Sequence, residues 1–151
     1  MTIGRSTSLA YHLKLAVTDA LVEVKNGKQV QLPSEKFYIP GSVLKIKIDT
    51  SLSSAWGMES KTDVIFNSSP VFRITPDAIS QMKIKPIAWF DSAQPLRSGW
   101  AWGQEYLQFG VAAFEASVGA GKLYAFGPEI TFRAQTYSTF KLIFNQLYSG
   151  Y

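Results

Sequence analysis

The sequence predicts an α/β fold, and three observations carry that expectation. Leu44, Ile46 and Ile48 alternate with Lys45, Lys47 and Asp49, the period of a strand with one buried face and one wet face. Gly110 to Val118 and Lys122 to Phe126 flank Gly119-Ala120-Gly121 as the two arms of a hairpin. Phe140, Ile143, Phe144 and Leu147 instead recur at helical spacing within Thr136 to Leu147, ahead of a Ser149-Gly150 stop. A chain of 151 residues suits one domain, which at this size buries roughly two-thirds of its unfolded surface.

The remaining elements follow in order. Thr2-Ile3-Gly4 reads as the end of a strand. Ser6-Thr7-Ser8 offers hydroxyls to the free N–H groups of a helix start, and Leu9, Leu13 and Val17 give that helix an apolar stripe over two to three turns. Asn26-Gly27 marks a turn within the polar stretch Lys25 to Glu35, and Pro40-Gly41 marks another. Ser51 to Glu59 reads as a loop, tightened at Trp56-Gly57-Met58. Short strands are expected at Val64 to Phe66, Val71 to Ile74 and Pro86 to Phe90, with Asn67-Ser68-Ser69-Pro70 as a turn. Thr75-Pro76-Asp77 has the cap and first-turn proline of a short helix. A strand opening at residue 2 lacks upstream neighbours to pair with, so the chain is expected to be a fragment of a larger module.

Composition closes off several kinds of chemistry. With no cysteine there is no disulfide framework, thiolate metal site or thiol nucleophile, and a single histidine, His12, rules out any mechanism needing two imidazoles. At 46% hydrophobic, 17% charged and 14% aromatic, the chain is neither disordered nor a coiled coil. Its net charge of +4 comes from scattered cations, Lys45 and Lys47 lying on one strand face, so nucleic acid is not an expected partner. No apolar run has the length of a membrane span.

Each candidate constellation has a plainer reading beside it. Gly4-Arg5-Ser6-Thr7-Ser8 partly matches a nucleophile elbow, which would make Ser6 a hydrolase serine. It lacks the second glycine, His12 lies too close in sequence to serve as its base, and helix capping explains the serines. Gly119-Ala120-Gly121-Lys122 misses the phosphate-loop pattern at Ala116 and Leu123 and joins two strands. The acids show no metal-ligand spacing, and nothing singles out a catalytic pair among Asp63, Asp91, Glu105, Glu115 and Glu129. Asn67-Ser68-Ser69 fits a glycosylation sequon followed by a proline. The richest block is Arg97-Ser98-Gly99-Trp100-Ala101-Trp102-Gly103-Gln104-Glu105. If extended, it puts both indoles on one face, either as an aromatic platform for a glycan or peptide or as a plug in the core.

Five blocks occur in order: Tyr38-Ile39-Pro40-Gly41-Ser42-Val43-Leu44, Ser69-Pro70-Val71-Phe72, Ser98-Gly99-Trp100-Ala101-Trp102-Gly103-Gln104, Phe126-Gly127-Pro128-Glu129-Ile130-Thr131-Phe132-Arg133-Ala134-Gln135 and Thr139-Phe140-Lys141-Leu142-Ile143-Phe144-Asn145. Together they resemble the C-terminal accessory domain of bacterial zinc carboxypeptidases, the carboxypeptidase A-like metallopeptidases, from about Ile3 to Tyr148. The resemblance implies a flavodoxin-like module related to class I glutamine amidotransferases, here a partial sheet with added antiparallel strands. Residues 1–151 would be one non-catalytic accessory domain. Zinc and the catalytic residues would lie in an upstream peptidase domain, and this chain would hold no cofactor. The amidotransferase relatives use an elbow cysteine where Ser6 stands. An exported parent, periplasmic or extracellular, is implied as well.

The expected role is to pack against the peptidase domain or to help place its peptide or cell-wall substrate. Arg97, Trp100, Trp102, Glu129 and Arg133 are the candidate binding residues, because guanidinium forks suit carboxylates and indoles offer stacking faces. The plainer alternative pairs Glu129 with Arg133 or uses them to cap the last helix. An exposed strand edge in a partial sheet would also favour self-association.

Overall fold

The computed structural model describes residues 1–81 and 83–148. Along the chain it contains β1 (Thr2–Ile3), α1 (Leu9–His12), β2 (Val17–Asp19), β3 (Val22–Lys25), β4 (Lys28–Gln31), β5 (Ser42–Ile48) and β6 (Lys61–Phe66). There follow β7 (Phe72–Ile74), α2 (Pro76–Ser80), β8 (Ile84–Trp89), β9 (Leu96–Ser98), β10 (Val111–Val118), β11 (Gly121–Phe126) and α3 (Phe140–Tyr148). The fold is mixed α/β, as the two periodicities in the sequence require. Its main sheet runs β1-β11-β10-β8-β5-β6, with β7 joining β10, β2 joining β7, and β9 joining β5.

Burial follows the pleat. In β5 every second residue from Ser42 to Ile48 is buried, so Leu44, Ile46 and Ile48 face the core and Lys45 and Lys47 face outward. β10 and β11 are covered on both sides. Leu123 and Ala125 join Phe72, Phe114 and Ile84 in one cluster, while Phe126 joins Ile46, Phe66, Ile87, Phe90 and Leu142 in the other. Phe72 and Phe114 meet edge to face at 5.1 Å between ring centroids. The hairpin across Gly119 pairs Ala113 with Phe126 through to Val118 with Gly121.

Among the described strands β1–β11 is the one parallel pair. The expected antiparallel strands are present throughout. A flavodoxin-like sheet needs several parallel strands joined by crossover helices, and this single pair does not confirm one. β1 contributes only two residues at one end of the sheet, and β6 forms the other end.

Three elements differ from expectation. The first helix is short. It ends at Leu13, Lys14 takes a left-handed φ of 52°, and Val17 pairs with Ile74 in β2–β7 rather than extending the stripe. Leu9 and Leu13 stay partly exposed, while Ala10 is the buried residue of α1. Asn26-Gly27 turns as expected, but the strands it joins form a separate two-stranded sheet of mostly exposed residues. In α3 it is Leu142 that is buried, and Phe144 and Leu147 are exposed. Ile143 packs against the core as its spacing predicts, and side-chain amides add to the docking. Asn145 Nδ2 donates to the carbonyls of Ser54 (3.3 Å) and Trp56 (3.0 Å), and Gln146 Nε2 donates to that of Ser54 (3.0 Å). Leu142, Asn145 and Gln146 share one face by i, i+3 and i+4 spacing. The Ser149-Gly150 stop lies outside the described residues.

Thr75 caps α2 as expected, its hydroxyl accepting from the Ala78 N–H, although at 3.4 Å the bond is long. Thr75→Ala should therefore cost only about 0.5–1 kcal/mol, the low end for a lost N-cap. A urea titration with unchanged slope checks this.

Candidate functional site

The candidate site begins with a short ladder outside the main strand pairings. Tyr38 N–H donates to the Trp102 carbonyl and Trp102 N–H donates to the Tyr38 carbonyl, both at 3.0 Å. Two residues back along the second segment, Ser42 Oγ accepts from the Trp100 N–H at 2.9 Å and donates to the Trp100 carbonyl at 2.5 Å. The Trp102 indole N–H reaches the Glu35 carbonyl at 2.8 Å, which fixes the ring's edge. Side chains along these extended segments alternate. Ile39 and Ala101 turn toward the core, while Tyr38, Trp100 and Trp102 turn to solvent.

The open choice between core plug and platform is thereby decided in geometric terms. Trp100 is 62% exposed, Trp102 55% and Tyr38 49%. Large rings held this open by backbone hydrogen bonds form an exposed aromatic face. Two glycines make the approach possible. Gly99 has φ 102° and packs on Ser42, and Gly103 has φ 71° and packs so closely on Lys36 that a Cβ would lie 1.9 Å from its carbonyl oxygen. Beside Trp102, Glu35, Lys36, Gln104, Glu105 and Tyr106 line a hollow of about 370 Å³, a polar rim to the face.

The rim is tied to the β3–β4 hairpin. Lys36 hydrogen-bonds Glu23, and Lys25 lies 3.1 Å from the same carboxylate. Hydrogen bonds from Lys36 and then Lys25 hold the Glu23 carboxyl below the usual carboxylate range, and Glu23 in turn holds the Lys36 ammonium above the usual lysine value. The sign follows from linkage. Glu23's contribution is present above its unfolded pKa and is lost as pH falls through the lowered folded value. That of Lys36 is present below its unfolded pKa and is lost as pH rises through the raised one. Intrinsic-rate-corrected amide protection at Tyr38 and Trp102 should therefore drop on acidification below the carboxylate range. In Glu23→Gln it should be low at neutral pH and show no such step.

The other candidate residues lie elsewhere. Arg97 projects from β9 with its Nε 3.5 Å from Asp63, both side chains half-exposed. It borders a cleft of about 650 Å³ at the free edge of β6. Glu129 bridges β6 through its backbone, its N–H bonded to the Ile65 carbonyl at 3.0 Å, and its carboxylate lies against Gly4 beside Arg5 and Asn67 to Pro70. Arg133 sits over the Phe132 ring with a left-handed φ of 47°. Among the described residues Glu129 and Arg133 form no ion pair with each other. The five residues thus occupy four places, and only Trp100 and Trp102 stand together.

Ser6 is committed to the turn: its hydroxyl donates to the Ile3 carbonyl at 2.7 Å and accepts the Ile3 N–H at 2.9 Å. Thr7 does the same for the Gly4 carbonyl at 2.7 Å, whereas Ser8 makes no cap bond. Of the five acids, Asp63 faces Arg97, Asp91 faces Lys61 at 3.1 Å, and Glu115 faces Lys85 at 3.9 Å. Among the described residues no His, Asp or Glu side chains gather as a metal would require, and no helix is long and apolar enough to cross a membrane. Tyr38, cross-strand partner of Trp102, completes the face, and its place just ahead of Pro40-Gly41 is the one signal the sequence carries for it.

No protein-family model matches the chain, and no curated protein matches it.

Proposed function

We propose that this chain is a non-catalytic recognition domain, the accessory domain of a zinc carboxypeptidase-like protein. It helps to place glycan or peptide substrate for a peptidase domain on the same polypeptide, and the zinc belongs to that other domain. The observation that carries the recognition reading is the exposed aromatic face of Tyr38, Trp100 and Trp102, set on a hydrogen-bonded ladder. Rings fixed in this way lose little side-chain entropy when a flat apolar surface, such as one face of a pyranose, stacks on them. The polar rim beside Trp102 supplies hydrogen-bonding groups for hydroxyls or amides.

A packing role on the peptidase domain draws support from α3. Phe144, Leu147 and Tyr148 are exposed along it, with Tyr137 and Trp56 exposed close to its docking contacts. Contiguous exposed apolar side chains are typical of a surface that another domain covers.

Co-sedimentation of the purified chain with insoluble bacterial cell-wall glycan tests the reading. Retention in the pellet that soluble wall fragments compete away is the expected result. A chain that stays in the supernatant with wall glycan, and is likewise not shifted by wall peptides, contradicts it.

A further inference from the structure

The cleft beside Arg97 lies apart from the aromatic face and straddles the outer edge of β6. Its lining includes Val43, Lys45, Asp63 and Arg97 on one side of that strand and Thr62, Ser138 and Lys141 on the other. β5 pairs with β6 along the strand's whole inner side, Ser42 with Phe66 through to Lys47 with Lys61. On the outer side, the Ile65 carbonyl accepts the Glu129 N–H. Residues two apart on a strand point their backbone groups the same way. Asp63 and Lys61 therefore present N–H and C=O outward, and no backbone group among the described residues bonds them there. Beyond Glu129 the chain passes through the short helical turn Phe132–Ala134 and returns beside β6 at Tyr137–Thr139, where the Ser138 and Thr62 hydroxyls hydrogen-bond. What stays unpaired along the cleft is the outward backbone of Lys61 and Asp63.

Charge decides what can enter. The cleft is lined by four cations (Lys45, Lys61, Arg97 and Lys141) against two acids (Glu59 and Asp63). Lys61 leans toward Asp91 and Arg97 toward Asp63, while Lys45 has no ion-pair partner among the described residues. A lysine on an edge strand keeps a second copy of the same edge away; here Lys61 lies on β6 itself, while Lys45 and Arg97 reach over from β5 and β9. They also attract an extended chain of opposite charge.

We propose that this cleft binds an acidic peptide segment in extended form, which adds to β6 as a further strand. Its backbone pairs with Lys61 and Asp63, and its carboxylates meet Lys45 and Arg97. Strand addition takes affinity from main-chain hydrogen bonds and selectivity from alternate side chains. On the outward face those side chains would meet Lys61, Lys45 and Arg97, with Asp63 between them engaged by Arg97. The proposal does not depend on the aromatic face, so a failure of glycan binding leaves it standing.

Titration calorimetry with a capped six-residue peptide of alternating Glu and Val tests it. Three arms accompany the wild-type measurement: the same peptide N-methylated at alternate residues, a Lys–Val counterpart, and the chain variants Lys45→Ala, Arg97→Ala and Trp100→Ala. The altered side chains are outward-facing, so unchanged melting of the variants is the folding control. N-methylation and each of the two cation deletions should weaken binding by roughly tenfold, a typical cost for a central interface contact. The Lys–Val peptide should not bind, and Trp100→Ala should be without effect. Binding that survives N-methylation, binding of the Lys–Val peptide at equal strength, indifference to both cation deletions, or no binding of the Glu–Val peptide overturns the proposal.

Discussion

Gly103→Ala is expected to destabilise the protein by about 3–4 kcal/mol and to disorder the aromatic face with it. Two costs add at this residue. A φ of 71° places it in the left-handed region, where an L side chain is strained. The added methyl would also lie 1.9 Å from the Lys36 carbonyl oxygen and 3.2 Å from the Phe37 Cα. Backbone cannot yield as a flexible side chain does, so the Gly103 segment must lift away from Lys36. That movement breaks the Tyr38–Trp102 pair next to it, and the Trp102 indole bond to Glu35 as well. Chemical denaturation followed by tryptophan emission should show both a lower midpoint and a red-shifted folded baseline. An unchanged midpoint would mean that the close approach of these segments is absent in solution.

Trp100→Ala is expected to do the opposite, removing binding while leaving stability within about 0.5 kcal/mol of wild type. Trp100 is 62% exposed, its backbone bonds to Ser42 do not involve the ring, and its indole makes no hydrogen bond among the described residues. Loss of a central stacking ring should cost about 2 kcal/mol of binding, or roughly 30-fold in affinity for cell-wall fragments. Trp102→Phe tests the same face while keeping a ring in the ladder. It gives up the indole bond to Glu35 and should fall between the wild type and Trp100→Ala. If Trp100→Ala unfolds the chain, the ring is structural and the recognition reading loses its support.

These expectations rest on features that differ in how far the sequence disclosed them. Local patterns were legible where burial and periodicity agree. Leu44, Ile46 and Ile48 face the core, the two arms about Gly119 pair as a hairpin, with Gly121 in the strand rather than the turn, and Thr75 caps α2. Spacing misled where a distant partner outweighed it. Leu9, Leu13 and Val17 fit a helix, but pairing with Ile74 takes Val17 into a strand. In α3 the apolar spacing pointed to Phe140, Ile143, Phe144 and Leu147; Ile143 does pack on the core, but Asn145 and Gln146 bind the Ser54 and Trp56 carbonyls, Leu142 turns inward, and Phe144 and Leu147 stay exposed. The Asn26-Gly27 hairpin went unread because exposed Val24 and Val30 give it no buried face to betray a strand.

Of the site, the Trp100-Ala101-Trp102 alternation was visible, but its exposure was not, since the same spacing serves a core. Tertiary pairing with Tyr38 sets it. The cleft joins Lys45, Lys61, Arg97 and Lys141 from four separate segments, a grouping that exists only once the sheet is assembled. Glu129 and Arg133, neighbours in the same block, make separate contacts: the Glu129 carboxylate lies against Gly4, and Arg133 sits over the Phe132 ring.

The central claim is that the aromatic face receives a ligand, and indole N–H resonances report on it directly. The chain has four tryptophans, of which Trp100 and Trp102 belong to the face, whereas Trp89 lies in β8 against Lys47 and Trp56 near α3. Titration with soluble cell-wall fragments should shift the Trp100 and Trp102 signals in a saturable way and leave those of Trp56 and Trp89 in place. Saturable shifts confined to Trp56 or Trp89, or four unmoved resonances at millimolar ligand, would contradict it.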